Sequence, residues 1–219
     1  MEGKVRFSAT GYREHPIEEM KKRAHEFYEE MRLRRSVRKF SNRPVPKSII
    51  ENCLRAACTA PSGANLQPWH FYVVSDPEMK KKIRSGAENG ETKFYQKDAS
   101  KAQLEKLAPL GTTAKKPFLE DAPYLIVVFA KFPPGSGGKN DYYIEESVGV
   151  ATGVLITAIH HAGLASLCYT PSNSLFLNEI LKLPSHTSAF LILAVGYPDP
   201  DATVPGLEKK PFGEVVTFI

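Results

Sequence analysis

The run Tyr124-Leu125-Ile126-Val127-Val128-Phe129 constrains this chain more than any other stretch. Six apolar residues in a row, without alternation, read as a strand covered on both faces, so the chain must supply layers on either side of a sheet. Further strands are expected at His70–Val74, Ala165–Tyr169 and Ala189–Val195, each short and bounded by turn residues. Helical spacing marks residues 16–35, with Met20, Ala24, Phe27 and Met31 along one face. A second helix opens at Pro46, where Ile49, Ile50, Cys53, Leu54 and Ala57 share a face. Residues 144–162 are apolar nearly all round, so this helix must be buried on most sides, part of that burial being expected against a second subunit. Pro133–Asn140 reads as a flexible loop. The closing residues Glu214–Ile219 are β-prone and too apolar to stay free, and are expected to join a sheet. With 42% apolar residues to build a core, the expectation is one α+β domain over residues 1–219.

The formal charge is +5, and two partners compete for it: a polyanion or a small anionic ligand. The basic residues fall in short groups along the chain, and no RNP-like aromatic motif, zinc finger or basic zipper accompanies them, so no nucleic-acid partner is expected. Three cysteines without a C-x-x-C suit a reducing compartment. The first residues are polar and no apolar run reaches spanning length, which leads to the expectation of a cytoplasmic protein with no membrane partner. No metal is expected, because the six histidines lack ligand spacing. A serine hydrolase is excluded by the missing G-x-S-x-G elbow.

Three stretches carry chemistry. Arg34, Arg35 and Arg38 flank Ser36 and offer three guanidiniums and a hydroxyl within five residues, a donor set for phosphate oxygens, although a solvated basic helix end has the same composition. Pro61-Ser62-Gly63-Ala64 opens a loop running to Trp69; its small residues let the backbone approach a planar ligand, and it lacks the glycine spacing of a P-loop or dinucleotide fingerprint. Cys168-Tyr169-Thr170 ends a strand, where ligand-contacting groups collect in α/β sheets. The Thr170 hydroxyl can both donate to and accept from a flavin ring nitrogen.

In this order the three stretches resemble the FMN-dependent nitroreductase family and, within it, the iodotyrosine deiodinases. The likeness runs from about Arg34 to the C-terminus and takes in Thr59–Ala64, Tyr142-Tyr143 followed by Glu145, and Val195–Pro198 with Ala202–Pro205. It implies a nitroreductase-type mixed β-sheet flanked by helices, in an intertwined homodimer that exchanges its C-terminal strand. It also implies FMN held by Arg34, Arg35, Ser36, Arg38, Pro61, Ser62, Gly63, Cys168, Tyr169, Thr170 and Lys209, with Thr170 as the catalytic hydroxyl. Substrate is expected on Ala64, Glu91, Tyr95 and Lys116, under a lid of residues about 88–116. Glu91 and Tyr95 stand at i and i+4, on one helix face, and with Lys116 give the anion, neutral hydrogen bonder and cation that a zwitterion needs. Cys168 and Tyr169 depart from the resemblance, since animal members carry threonines there. The activity implied is reductive dehalogenation of halotyrosines, with electrons from NAD(P)H directly or through a reductase. Two other readings stay open: a broad NAD(P)H-dependent nitroreductase or quinone reductase, and a flavin- or halotyrosine-binding protein without turnover.

Overall fold

In this computed structural model residues 9–133, 142–184 and 186–219 are described, so the loop read at Pro133–Asn140 lies outside them from its second residue onward. The chain divides into two units, residues 1–34 and 35–219. The first holds helix α1 (Ile17–Arg32), which buries no residue. Its charges pair along the helix, Lys21 with Glu18 at 2.8 Å and Arg23 with Glu19 at 3.5 Å, contacts worth a few tenths of a kcal/mol each (about 0.3–0.5). Arg34 closes this unit, its N–H donating to the Met31 carbonyl.

The second unit is built on four strands, β1 (Trp69–Val74), β2 (Tyr124–Lys131), β3 (Ala165–Tyr169) and β4 (Thr187–Gly196), in the order β1-β2-β4-β3. The run that opens at Tyr124 is the interior strand its composition demands, with Leu125 to Phe129 fully buried. All three strand pairs are antiparallel, which corrects the expected mixed sheet. Among the described residues, parallel pairing is confined to a single bridge, Ser36 to Ser166. Among the described residues the segment 36–40 pairs with the sheet at Ser36 alone, too briefly to make a strand; its second bridge, Phe40 to Pro198, lies beyond the end of β4.

Alternation along the strands sends side chains to two layers. Leu125, Val127 and Phe129, with Leu167, Tyr169, Ile192 and Ala194, face one cluster; Ile126, Leu193 and Val195 face the other. Helices α2 (Lys47–Ala57) and α6 (Ile144–His161) cover the second face through Ile50, Cys53, Ala57, Leu155 and Ile159. The first face is covered by α3 (Pro77–Lys93), α5 (Phe118–Asp121) and α7 (Leu175–Ile180), through Ile83, Ala87, Phe118, Leu119 and Leu177. Within one chain α6 buries a single stripe, Ile144 through Ile159 at helical spacing, and leaves Val150 and Gly153 exposed. A last short helix, α8 (Phe212–Val215), leads to residues 216–219, which pair with no strand among the described residues; Phe218 and Ile219 are exposed.

The polar segment 76–117 folds as helix rather than open loop. Asp76 caps α3 by accepting from the Met79 N–H at 2.7 Å, with Pro77 in the first turn. A π-helical turn, Phe94–Asp98, follows α3. Helix α4 (Lys101–Leu107) then starts from a capping box between Ser100 and Gln103. Gly111, at φ 63°, turns the chain back toward the sheet in the left-handed region that glycine enters freely. Among the described residues no helix is long and apolar enough to cross a membrane.

Candidate active site

A cavity of about 550 Å³ opens where α3 and the π-helical turn approach the end of β3. Phe94, Leu107, Phe118 and Leu167 give it apolar walls, and Arg38, Glu91, Tyr95, Lys116, Cys168, Tyr169 and Thr170 also line it. Glu91 and Tyr95 reach it together because they stand one turn apart across the junction between α3 and the π-helical turn.

The centre of the site is an ion pair removed from solvent. Glu91 Oε2 and Lys116 Nζ are 3.0 Å apart, with their residues 6% and 5% exposed. At such burial attraction offsets desolvation only when further donors and acceptors support the pair, and both partners have them. Glu91 Oε1 accepts from the Tyr169 hydroxyl and from the Ser172 N–H, each at 3.1 Å. Lys116 donates a short hydrogen bond to the Thr113 carbonyl, and its ammonium lies 5.4 Å from the centroid of the Tyr95 ring. Tyr95 is held in turn by a short hydroxyl–hydroxyl hydrogen bond with Thr112.

Two contacts fix the backbone that carries Lys116. The Lys116 N–H donates to Glu88 Oε1 at 2.7 Å, while Arg84 and Lys115 pair with the same carboxylate at 2.8 and 3.3 Å. Further along, buried Lys80 donates to the carbonyls of Glu120 and Ala122 at 2.8 and 2.9 Å, tying α5 to α3. Burial pushes the Lys80 ammonium below its ordinary range. Burial acts in the opposite sense on Glu88, but the Lys116 N–H together with Arg84 and Lys115 outweighs it and holds the carboxyl below its usual value. A depressed carboxylate stabilises the fold above its unfolded pKa and loses that contribution as pH falls through its folded value. Glu88→Gln is therefore expected to melt below the wild type at neutral pH, with the gap closing below the ordinary 4.5. Thermal melts at about pH 7 and about pH 3 check this.

The basic stretch and the small-residue loop take other places. Arg35 donates a short hydrogen bond to the Pro205 carbonyl, bringing it beside the segment that carries exposed Lys209. Ser36 lies against β3 through its bridge to Ser166, and Arg38 reaches the cavity. Pro61, Ser62, Gly63 and Ala64 stand apart from that cavity and pack on the start of α6: the Gly63 N–H donates to Ser147 Oγ at 3.2 Å. A Cβ on Gly63 would fall 2.1 Å from the Tyr142 carbonyl oxygen, so only glycine fits. Ala64, Asn65 and Gln67 all hold positive φ, at 49°, 55° and 48°, a strained run of the kind found where a backbone is shaped for a ligand.

The model of the nitroreductase family matches residues 31–197, which contain the cavity and the ion pair. The chain belongs to the nitroreductase family. Among relatives of this family member, the iodotyrosine deiodinase of Haliscomenobacter hydrossis is 52% identical over 197 residues, covering 88% of each chain. The iodotyrosine deiodinase of Nematostella vectensis is 42% identical over 205 residues, covering 92% of this chain and 78% of its own. Among solved structures, oxidized iodotyrosine deiodinase bound to FMN and 3-iodo-L-tyrosine matches with a TM-score of 0.76 at 34% identity, over 88% of this chain and 100% of that one. A BluB-like flavoprotein from Clostridium difficile 630, 24% identical with a TM-score of 0.70, shares the fold.

In this nitroreductase-family chain the expected cluster of Glu91, Tyr95 and Lys116 meets Arg38, Cys168, Tyr169 and Thr170 in one cavity. Arg34 belongs to the N-terminal unit. Sequence reasoning missed Glu88, Thr112, Thr113 and Ser172, which hold the cluster in place. Glu88 carried a signal, since it precedes Glu91 by three residues on the same helical face. The two threonines act partly through a backbone carbonyl and left none.

Proposed function

We propose that this chain is an FMN-dependent oxidoreductase that reductively dehalogenates halogenated tyrosines, releasing tyrosine and halide from iodotyrosine. The observation that carries this reading is the buried Glu91–Lys116 pair with Tyr95 beside it, in a cavity that also presents Arg38 and Thr170. The relatives named above and the neighbour bound to FMN and 3-iodo-L-tyrosine support it.

The residues present fit a phosphorylated flavin. Arg35 and Arg38 are half-buried guanidiniums in a chain of net charge +5, and Thr170 sets a hydroxyl on the cavity wall at the end of β3. We assign FMN to Arg34, Arg35, Ser36, Arg38, the Pro61–Gly63 loop, Cys168, Thr170 and Lys209, with Tyr169 contributing its backbone only, since its phenol is turned to Glu91. When bound, the reduced flavin supplies the two electrons that, with one proton, turn a carbon–iodine bond into carbon–hydrogen and iodide. The chain's own part is recognition and exclusion of water. Glu91 takes the ligand ammonium, Lys116 its carboxylate, Tyr95 a neutral hydrogen bond, and the Ala64 N–H the phenolate oxygen. Phe94, Leu107 and Phe118 keep the contact dry, which strengthens each charge interaction. Residues 88–116 act as the lid.

The working form we propose is a homodimer in the cytoplasm, supplied with electrons by NAD(P)H directly or through a reductase. The Pro61–Ala64 loop stands apart from the cavity of its own chain, α6 keeps an uncovered side, and Phe218 and Ile219 are exposed. A second copy, exchanging the C-terminal strand and completing a shared flavin site, accounts for all three.

The test is anaerobic incubation of the flavin-loaded protein with dithionite and 3-iodotyrosine, following tyrosine by chromatography. One tyrosine and one iodide per substrate is the expected result. No tyrosine, from protein that still reduces nitroaromatics, would hand the function to the general nitroreductase reading.

A further inference from the structure

Glu91 is gripped from the strand side, by a residue that the recognition of a zwitterion does not itself require. Its Oε1 is taken up by β3 and the turn after it, through the Tyr169 hydroxyl and the Ser172 N–H. Its Oε2 is the oxygen that meets a cation, Lys116. The Tyr169 ring is 9% exposed, edge-on to Phe118 at 5.5 Å between centroids, with the Lys116 ammonium 5.5 Å from its centre. Strand alternation explains the placement. Tyr169 lies on the same face as Leu167, the face that α3 covers, so its phenol extends toward the helix that carries Glu91.

We propose that Tyr169 is a specificity-determining positioning residue: its hydroxyl locks the Glu91 carboxylate in the conformation that receives a ligand ammonium, and so favours zwitterionic halophenols over halophenols without an amino-acid group. The inference rests on the halotyrosine reading above and names the residue that sets its selectivity. A glutamate side chain has substantial rotamer freedom to lose on ordering. Here much of that ordering is done before a ligand arrives, by a donor on a sheet strand. Burial, then the adjacent Glu91 charge, pushes the Tyr169 phenol far above its ordinary pKa, so it remains a neutral donor. Reach matters as well as chemistry: a hydroxyl one bond beyond Cβ would fall short of α3, and a phenyl ring would arrive without a donor.

The experiment compares kcat/KM for anaerobic iodide release from 3-iodotyrosine and from 2-iodophenol, in flavin-loaded wild type and Tyr169→Phe. The ratio of the two values is expected to fall about tenfold in the variant, mainly through KM for 3-iodotyrosine, as fits loss of a hydrogen bond to a charged group. Tyr169→Met, smaller, flexible and without a hydroxyl donor, gives the same fall and serves where the phenylalanine variant does not fold. In a Glu91→Gln background the added Tyr169→Phe change is expected to move the ratio less than about twofold, since the group it positions has gone. An unchanged ratio overturns the proposal, as does a parallel loss on both substrates or a full further fall in the Glu91→Gln background. A wild type that releases no iodide from 3-iodotyrosine overturns the functional reading and this inference together; an active wild type with an unchanged ratio overturns this inference alone.

Discussion

Glu91→Gln is expected to raise KM for 3-iodotyrosine about a hundredfold, with a much smaller effect on nitroaromatic reduction. The substitution keeps the shape of the side chain and removes its charge. Lys116, 5% exposed, then faces no carboxylate from Glu91, and the ligand ammonium meets a neutral amide. Breaking one partner of a buried, hydrogen-bonded charge pair costs about 2–5 kcal/mol. Part of that is lost in the free protein, so the melting temperature should fall as well; the remainder is read in KM. Nitroaromatics bring no ammonium, so their reduction depends on the flavin and the apolar walls. Steady-state kinetics on both substrate types, with melts of the same preparations, check this. An unchanged KM would remove Glu91 from ligand recognition.

Gly63→Ala should damage the protein from the opposite side of the sheet. The added methyl would lie 2.1 Å from the Tyr142 carbonyl oxygen and 3.0 Å from its carbon. Both are backbone atoms, so no side chain can swing away and either the loop or the turn must move. Overpacking of this kind costs about 1–3 kcal/mol, or about 6–12 °C in Tm at the upper end for a chain of this size. The loop is also assigned to the flavin, so purified Gly63→Ala should carry less of it, read as a lower visible-to-280 nm absorbance ratio. Unchanged melting and unchanged flavin content would show that the loop tolerates the methyl and does not constrain the site.

The parts of this structure that could be read in the sequence were those fixed by local chemistry. Six apolar residues from Tyr124 determine a strand buried on both faces whatever surrounds them. The spacing of Glu91 and Tyr95 puts both on one side of a helix, and they do line one cavity. What stayed hidden depends on contacts between elements. Residues 36–40 add one parallel bridge, Ser36 to Ser166, and not a strand, and no local pattern distinguishes a bridge from a strand. Tyr169 read as part of a strand-end ligand motif, and its hydroxyl lies on Glu91, 78 residues away in sequence. The role of Glu88 likewise rests on groups distant in sequence, since Lys115 and the Lys116 N–H converge on it together with Arg84.

The Glu91–Lys116 pair also makes the site a conjunction rather than a sum. With its two charges 3.0 Å apart and withdrawn from solvent, the pair is neutral as a unit. A ligand bearing only an amine can claim the carboxylate only by stranding the lysine, and one bearing only an acid strands the glutamate. Each half-ligand thus incurs the cost of an unpaired buried charge and gains one contact in return. A molecule that brings both charges, on adjacent atoms of one carbon, satisfies the two partners at once. Adding the ammonium and the carboxylate together should therefore raise affinity far beyond what the two separate groups would add.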